Sequence, residues 1–179
     1  MEVLTVFLDI DGVLNTKASW KTPFQLNDEC IKAFCEYLLS KQTEVKIILT
    51  SSWKNGYSTL QENETPQLQE LRKKLGLFGL AINGRTKDLQ NRMQEIDEYI
   101  KSHDIKKYAI FDDDPNEYNR EYLKKVSLIN AETGFTVSQA NKVKWNNTFD
   151  EKRFLTKSER EERRAIQKQM LKKIREISV

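Results

Sequence analysis

The stretch Val6-Phe-Leu-Asp-Ile-Asp-Gly-Val-Leu-Asn15 joins an apolar run to an acidic turn. Residues 3–8 are nearly all apolar, which is typical of a β-strand buried on both faces of a sheet. Asp9 and Asp11 follow where this strand stops, and side chains two positions apart point to the same side. Gly12 then allows a sharp turn. The stretch therefore predicts a buried strand that ends in two carboxylates facing one site.

Further apolar runs follow and alternate with segments of helical periodicity. We predict strands over residues 45–49, 77–82, 108–111 and 126–129 and a turn at Asn83-Gly84. A first helix is predicted to start at Asn27, and a second to run from Thr65-Pro66 to Gly76. A third helix is predicted to carry Leu89, Met93, Ile96 and Ile100 on one face, and a fourth to cover residues 117–125. Strands that alternate with helices indicate a parallel sheet with helices on both faces, a Rossmann-like α/β fold. Thr50-Ser51-Ser52 and Asp112-Asp113-Asp114 each end a predicted strand.

The acidic and hydroxyl clusters are expected to meet, because parallel sheets bind ligands beyond the carboxyl ends of their strands. Four carboxylates at close range, those of Asp9, Asp11, Asp112 and Asp113, repel one another, and a hard divalent cation relieves that repulsion. Mg²⁺ is suitable because it binds a few carboxylates, keeps some waters and takes its remaining oxygen from a phosphate. The alternative is that each cluster only solvates a turn, since Asp-Gly is a common turn dipeptide. Three such strand ends favour a site.

Composition narrows the class of protein. The 179 residues suffice for one domain with a core, and no run approaches the roughly 20 apolar residues of a membrane helix. The acidic N-terminus predicts no secretory signal. Cys30 and Cys35, five apart in a predicted helix, are badly placed for a disulfide and predict buried thiols in a reducing cytoplasm. His103 is the single histidine, which argues against histidine-based triads and zinc sites.

The C-terminal part differs in character. Residues 151–179 hold ten Lys/Arg and five Glu, a net +5, whereas residues 1–150 carry −2. Thr156-Lys-Ser-Glu159 has the form of a capping box, and a narrow apolar stripe follows at Ile166, Met170, Ile174 and Ile177. We predict a domain over 1–150 and a charged helical extension over 151–179. The extension could dock a protein partner or mediate self-association, or it could pack on its own domain or extend into solvent.

Three segments resemble motifs of the haloacid dehalogenase-like (HAD) phosphohydrolases. Phe7-Leu-Asp-Ile-Asp-Gly-Val-Leu-Asn15 looks like their first motif, Asp-x-Asp-Gly-x-Leu. Ile47-Ile-Leu-Thr-Ser-Ser-Trp53 looks like the second, and Tyr108-Ala-Ile-Phe-Asp-Asp-Asp114 looks like the fourth. The order agrees over residues 3–141. Asp-Gly-Val-Leu-Asn with Ser-Ser-Trp and Gly-Phe-Thr136 is most similar to the HAD domain of Swiss Army Knife RNA-repair proteins.

The resemblance implies a Mg²⁺-dependent phosphatase that acts through an aspartyl-phosphate. Asp9 matches the nucleophile. Asp11 matches the residue that protonates the leaving oxygen and later helps to activate water. Ser51, or Thr50 if the alignment shifts by one residue, matches the hydroxyl that binds the phosphoryl group.

The resemblance also implies a cation and a set of ligands. Arg92 fits the third motif best and Lys87 is the alternative, although either could be an ordinary helix-surface residue. Mg²⁺ would be held by Asp9, the backbone carbonyl of Asp11, and Asp112 or Asp113. The expected substrate contacts are Gly12, Ser52, Trp53 and Lys87.

Substrate choice depends on how the site is covered. Only residues 16–25 separate the first motif from the next helix, so no full cap domain fits there. An open site suits nucleic-acid ends or phosphoproteins and leaves small nucleotides possible. Five residues could combine base stacking with phosphate contacts, or only pack the rim: Trp20, Lys21, Trp53, Lys54 and Tyr57. The competing hypothesis is a binding or regulatory module that keeps the fold and docks a partner through its C-terminal helix.

Overall fold

The structure is a computed structural model that describes residues 2–21 and 25–148. Residues 1–146 form one compact unit. The predicted charged helix, its capping box and its apolar stripe lie outside the described residues. The extension over 151–179 and the domain boundary at 150 therefore stay predictions.

Strands and helices alternate along the described residues. The strands are β1 (Val3–Leu8), β2 (Glu44–Leu49), β3 (Ile82–Arg85), β4 (Lys107–Asp112), β5 (Val126–Leu128) and the short β6 (Asn146–Asn147). The α-helices are α1 (Asp28–Leu39), α2 (Pro66–Gly76), α3 (Arg92–Ser102) and α4 (Val137–Ala140). Shorter 3₁₀ helices cover Lys17–Lys21, Ser52–Gly56, Gln61–Asn63, Pro115–Glu117 and Tyr122–Lys124.

The sheet is parallel across its five longer strands, in the order β3-β2-β1-β4-β5. β1 is therefore the central strand, with β2 on one side and β4 on the other. The strand order reverses between β1 and β4, and this is the place where open α/β sheets bind ligands. The predicted Rossmann-like α/β fold is confirmed.

Two hydrophobic cores cover the two faces of the sheet. Val6 and Leu8 of β1 belong to the core that contains Phe34 of α1 and the apolar side chains of α2. Phe7 belongs to the other core, with Ile96 of α3. All of these named side chains are fully buried, and each such burial stabilises the fold by about 1.5–3 kcal/mol. Packing from both faces fixes β1 and the residues that follow it.

Local signals place the first two helices correctly. Oδ1 of Asn27 caps α1 by accepting from the N–H groups of Glu29 (2.9 Å) and Cys30 (3.0 Å). α2 starts at Pro66, ends at Gly76 and buries its three leucines, Leu68, Leu71 and Leu75. Both cysteines are buried free thiols, as predicted: Cys30 and Cys35.

The strand predicted over 77–82 is wrong. Leu77 is 79% exposed, and the chain turns through Gly79 before β3 begins at Ile82. The predicted turn at Asn83-Gly84 is wrong as well, since both residues belong to β3. Asn83 Oδ1 accepts from the N–H of Ile47 (2.8 Å) where the register of β2 and β3 shifts. A side chain thus satisfies a backbone group at an irregular edge strand.

Two helix predictions also need correction. α3 begins at Arg92 with Asn91 as its cap, so Leu89 lies in the preceding loop and is 45% exposed. The helix predicted over 117–125 is two separate 3₁₀ turns, because Tyr118 between them is extended, with φ −133°. The ring of Tyr118 is buried against the core beside β4, which breaks the helical path.

Within the described residues, little of the chain is available to cover the carboxyl ends of the strands. Between β1 and α1, the described residues form a single 3₁₀ helix, Lys17–Lys21. α2, which lies between β2 and β3, packs its leucines into the core. The prediction of little or no cap agrees with this arrangement. Within residues 2–21 and 25–148, no helix is long and apolar enough to cross a membrane.

Candidate active site

Asp9 lies directly beyond β1, beside the end of β4. Its N–H donates to the carbonyl of Phe111 (2.9 Å), so the pairing of the two strands continues up to the site. Asp112 is the next residue of β4. Carboxylate oxygens of Asp9, Asp112 and Asp113 all lie within 4.8 Å of one another. The sheet therefore brings together the two acidic clusters that are about a hundred residues apart in the sequence.

These three carboxylates form an electrostatically unfavourable cluster. Burial, followed by repulsion from Asp112, raises the pKa of Asp9 well above its ordinary value, and the charge of Arg92 opposes the rise. The same two causes, burial and Asp112, raise the pKa of Asp113 to about 6. A divalent cation would relieve this repulsion, and an all-oxygen donor set is the one that Mg²⁺ prefers. The residues present therefore fit a magnesium ion.

Arg92 reaches into the acidic cluster from the first position of α3. Its Nη1 donates to Asp9 Oδ1 (3.1 Å) and to Asp112 Oδ2 (2.5 Å), and its side chain is only 15% exposed. Lys87 is 68% exposed and pairs with Glu98 (2.5 Å). Of the two candidate cations, the structure therefore places Arg92 against the candidate nucleophile and Lys87 on the surface.

Asp112 is held on both oxygens. Oδ2 accepts from the hydroxyl of Tyr118 (2.6 Å) as well as from Arg92, and Oδ1 accepts from the N–H of Asp114 (2.9 Å). The side chain of Asp112 is fully buried. Among the described residues, no neighbouring side chain donates a hydrogen bond to Asp113, which is half-buried. Asp113 and Asp9 are therefore the carboxylates with the most coordination capacity left.

Gly12 is needed because the chain passes close to Asp113. Its φ is +73°, and a Cβ at this position would lie 2.4 Å from the Asp113 Cγ. Its N–H donates to Asn15 Oδ1 (2.8 Å). This N–H group is therefore already paired, and it gives no support to the expected contact between Gly12 and the substrate. The glycine instead permits the turn that puts the two acidic segments side by side.

The three hydroxyls after β2 are placed differently. Thr50 is buried, and its Oγ1 has no hydrogen-bond partner among the described residues. Ser51 is buried, and its Oγ accepts from the N–H of Trp53 (3.1 Å), which leaves the hydroxyl proton available to donate. Ser52 is exposed. Thr50 and Ser51 both remain candidates for the second motif.

Each carboxylate oxygen of Asp11 accepts a hydrogen bond from a side chain. Trp53 Nε1 donates to Asp11 Oδ2 (3.0 Å), and Asn15 Nδ2 donates to Asp11 Oδ1 (2.7 Å). Trp53 is only 6% exposed, so it is a packed residue beside the site and has no open ring face for stacking on a substrate. The Asp11 carboxylate lies outside the group formed by Asp9, Asp112 and Asp113. Its backbone carbonyl stays the predicted metal ligand.

Lys54 is also buried, contrary to its expected place on the rim. Its Nζ donates to Glu95 Oε2 (2.6 Å) and pairs with Asp88 (3.3 Å). Glu95 belongs to the same turn of α3 as Arg92. The ion pair therefore ties the segment after β2 to the start of α3. Trp20 remains 44% exposed, and its Nε1 donates to Asn15 Oδ1 (3.1 Å).

A protein-family model, described as the HAD domain in Swiss Army Knife RNA repair proteins, matches residues 5–140 of the sequence. The match begins in β1, ends with α4 and includes every residue of the site described above. The chain belongs to this HAD family. Membership supports a HAD-type phosphatase in general terms, and such a domain implies a phosphorylated substrate. No significant match joins the chain to a curated protein or to a solved structure.

Several contacts of this HAD domain's site were not predicted from the sequence. Asn15 lies inside the first motif, four residues after Asp11, and that spacing within one turn could have indicated a contact. Tyr118 follows Asp112 across a proline turn and has no periodic relation to it. Lys54 and Glu95 are 41 positions apart, so only the fold could reveal their pairing.

Proposed function

We propose that this HAD domain is a Mg²⁺-dependent phosphatase in which Asp9 forms an aspartyl-phosphate. The observation that supports this most strongly is the meeting of the Asp9, Asp112 and Asp113 carboxylates with the Arg92 guanidinium. Asp9, the Asp11 carbonyl and Asp112 or Asp113 would hold the ion. When bound, Mg²⁺ neutralises part of the negative charge on the transferring phosphoryl group.

The chain's own residues supply the rest of the proposed chemistry. A carboxylate oxygen of Asp9 attacks phosphorus, and Asp11 gives a proton to the leaving oxygen as its bond to phosphorus breaks. Arg92 and the hydroxyl of Ser51 or Thr50 stabilise the charge on the phosphoryl oxygens. Asp11 then takes a proton from water, which attacks phosphorus, releases phosphate and restores Asp9.

Nucleotide or nucleic-acid phosphate ends are the proposed substrates. The described part of the chain puts no cap domain over the site, so a bulky polymer end has access. Trp20 offers an exposed indole linked through Asn15 to Asp11, on the side where the leaving group departs. The family takes its description from RNA repair proteins. The buried free thiols support the proposed cytoplasmic location.

A phosphate-release assay tests this proposal. We expect purified protein with Mg²⁺ to release phosphate from 3′- or 5′-phosphorylated oligonucleotides. The kcat/KM for these ends should exceed that for a phosphoserine peptide by about 10-fold or more, because extra contacts worth 1.4 kcal/mol already give this ratio. Turnover of aryl phosphates without turnover of oligonucleotides would refute the substrate and keep the phosphatase. Inactivity on every phosphate ester would refute both.

Magnesium is expected to stabilise the folded protein, because it relieves repulsion among buried carboxylates. At a Mg²⁺ concentration of 100 times Kd, the gain is about 2.7 kcal/mol, or roughly 5–10 °C in Tm for a chain of this size. Thermal denaturation with and without chelator measures the shift. Asp113→Asn should remove most of it. Asp104→Asn, at an exposed residue away from the cluster, is the matched control, and an equal shift in both variants would place the ion elsewhere.

The alternative, a binding or regulatory module whose C-terminal helix docks a partner, concerns residues outside the described ranges. Self-association through that helix also concerns residues outside the described ranges. Both stay predictions, and deletion of residues 156–179 tests them through oligomeric state and binding.

A further inference from the structure

The contacts of Asp11 are made by two groups that can only donate hydrogen bonds. The indole N–H of Trp53 has no acceptor function, so it must donate to Asp11 Oδ2. Asn15 has both an oxygen and an NH₂ group, and its orientation follows from its neighbours. Its Oδ1 faces the N–H of Gly12 and the indole N–H of Trp20, which are both obligate donors. Its Nδ2 therefore faces Asp11 Oδ1.

These two hydrogen bonds restrict rotation of the Asp11 carboxylate but leave part of its acceptor capacity unused. A carboxylate has about four lone-pair sites, so one donor on each oxygen leaves the other lone pair of each oxygen open. Both donors are well packed, since Asn15 is 2% exposed and Trp53 is 6% exposed. Rotation of the Asp11 side chain would break both bonds and leave buried donors unpaired. That penalty is larger than the gain from a single new contact.

We propose that Asn15 and Trp53 are positioning residues that hold the Asp11 carboxyl group in the orientation needed for proton transfer to the leaving oxygen, with an open lone pair on each oxygen to carry the proton. This inference rests on the proposed phosphatase function and deepens it. Trp20 contributes indirectly, because its indole N–H donates to Asn15 Oδ1 and helps to keep the Asn15 amide in its orientation. We call Asn15 and Trp53, with their two hydrogen bonds to Asp11, the clamp. One donor comes from the segment after β1 and the other from the segment after β2, so the clamp also joins the first and second motifs.

The dependence of rate on the leaving group tests the clamp. An acidic phenol leaves phosphorus without a proton, whereas a basic one needs a well-placed acid. The substrates are therefore dinitrophenyl, nitrophenyl, phenyl and methoxyphenyl phosphate, assayed with the full chain and Mg²⁺. The quantity compared is kcat/KM, because it reports the first chemical step and is insensitive to hydrolysis of the aspartyl-phosphate.

Two variants remove the two halves of the clamp. Trp53→Phe keeps an apolar ring and loses the donor to Asp11. Asn15→Asp keeps an oxygen for the N–H groups of Gly12 and Trp20 but turns the donor facing Asp11 into an acceptor. We expect each variant to lose about 10- to 100-fold on methoxyphenyl phosphate and less than about 3-fold on dinitrophenyl phosphate. Asp11→Asn gives the reference slope for loss of the acid itself.

Trp145→Phe is the matched control. It removes an indole donor to the hydroxyl of Tyr37 (2.8 Å), a contact that does not involve the clamp. Its rates should run parallel to those of the wild type across the substrates. Asn15→Asp changes no side-chain volume of note, so it keeps the test valid if Trp53→Phe folds poorly.

The outcomes separate cleanly. A loss that grows with the basicity of the leaving group in Asn15→Asp, and in Trp53→Phe where that variant folds, supports the clamp when it is absent from Trp145→Phe. A loss of equal size on all four esters, or no loss in Asn15→Asp, overturns it while leaving the phosphatase standing. A wild-type protein that hydrolyses neither these esters nor the phosphorylated oligonucleotides overturns the phosphatase proposal and the clamp together.

Discussion

Asp9→Asn is expected to lower kcat/KM for phosphate release by about 10⁴-fold or more. The amide has nearly the shape of the carboxylate but cannot form the covalent phosphoryl intermediate. The wild-type protein, quenched in acid during turnover, should show a mass increase of one phosphoryl group. The variant should show none. These two measurements test the proposed nucleophile independently.

Stability provides the control for this variant. Burial and the neighbouring Asp112 raise the pKa of Asp9, so its charged form is disfavoured in the folded protein. At neutral pH, a neutral isostere therefore removes a cost of folding, and the Tm of Asp9→Asn in chelator should equal or exceed that of the wild type. A folded variant that retains phosphatase activity, or that still acquires the phosphoryl group, would contradict the mechanism.

Arg92→Met is expected to lower kcat/KM by about 10²- to 10³-fold, the usual effect of losing one preorganised charge partner of a transition state. It should also destabilise the protein in chelator by roughly 3–5 kcal/mol, because buried carboxylates lose their cation. Asp9 and Asp112 both accept from this guanidinium. Added Mg²⁺ should restore part of the lost Tm and little of the lost activity. Thermal denaturation and phosphate-release kinetics measure both effects.

Lys87→Met distinguishes the two candidates for the third motif. Lys87 is 68% exposed and pairs with Glu98 at the surface, and exposed pairs contribute only about 0–1 kcal/mol. We expect Lys87→Met to keep kcat/KM within about 2-fold of the wild type, because the Lys87 ammonium is exposed and pairs with Glu98 rather than with the acidic cluster. A large loss in Lys87→Met together with near-normal activity in Arg92→Met would transfer the role to the lysine.

The central part of the fold was predictable because its signals are local. β1, β4 and the second half of β2 (residues 47–49) are short apolar runs that end in polar clusters, and both faces of such runs are buried. Asn27 and Pro66 mark helix starts through groups within the same turn. Parallel strands put their carboxyl ends at one edge, so the meeting of Asp9 with Asp112 followed from topology alone.

Two incorrect predictions lie where a side-chain contact outside the predicted segment outweighs local preference. Asn83-Gly84 reads as a turn, yet the Asn83 amide satisfies a backbone group of β2 and holds both residues in β3. Tyr118 interrupts the predicted helix over 117–125 because its hydroxyl reaches Asp112. Neither partner is visible from the residues on either side of the prediction.

The sequence by itself determined the α/β fold, the resemblance to HAD phosphohydrolases and the acidic residues at the ends of β1 and β4. It did so because burial and turn formation depend on the order of apolar and polar residues along a short segment. Only the tertiary structure decided that Arg92 faces Asp9 and that Trp53 donates to Asp11. Trp53 and Asp11 are 42 positions apart, and Arg92 and Asp9 are 83 apart. Hydrogen bonds over such separations depend on how the strands and helices pack, which no local pattern encodes.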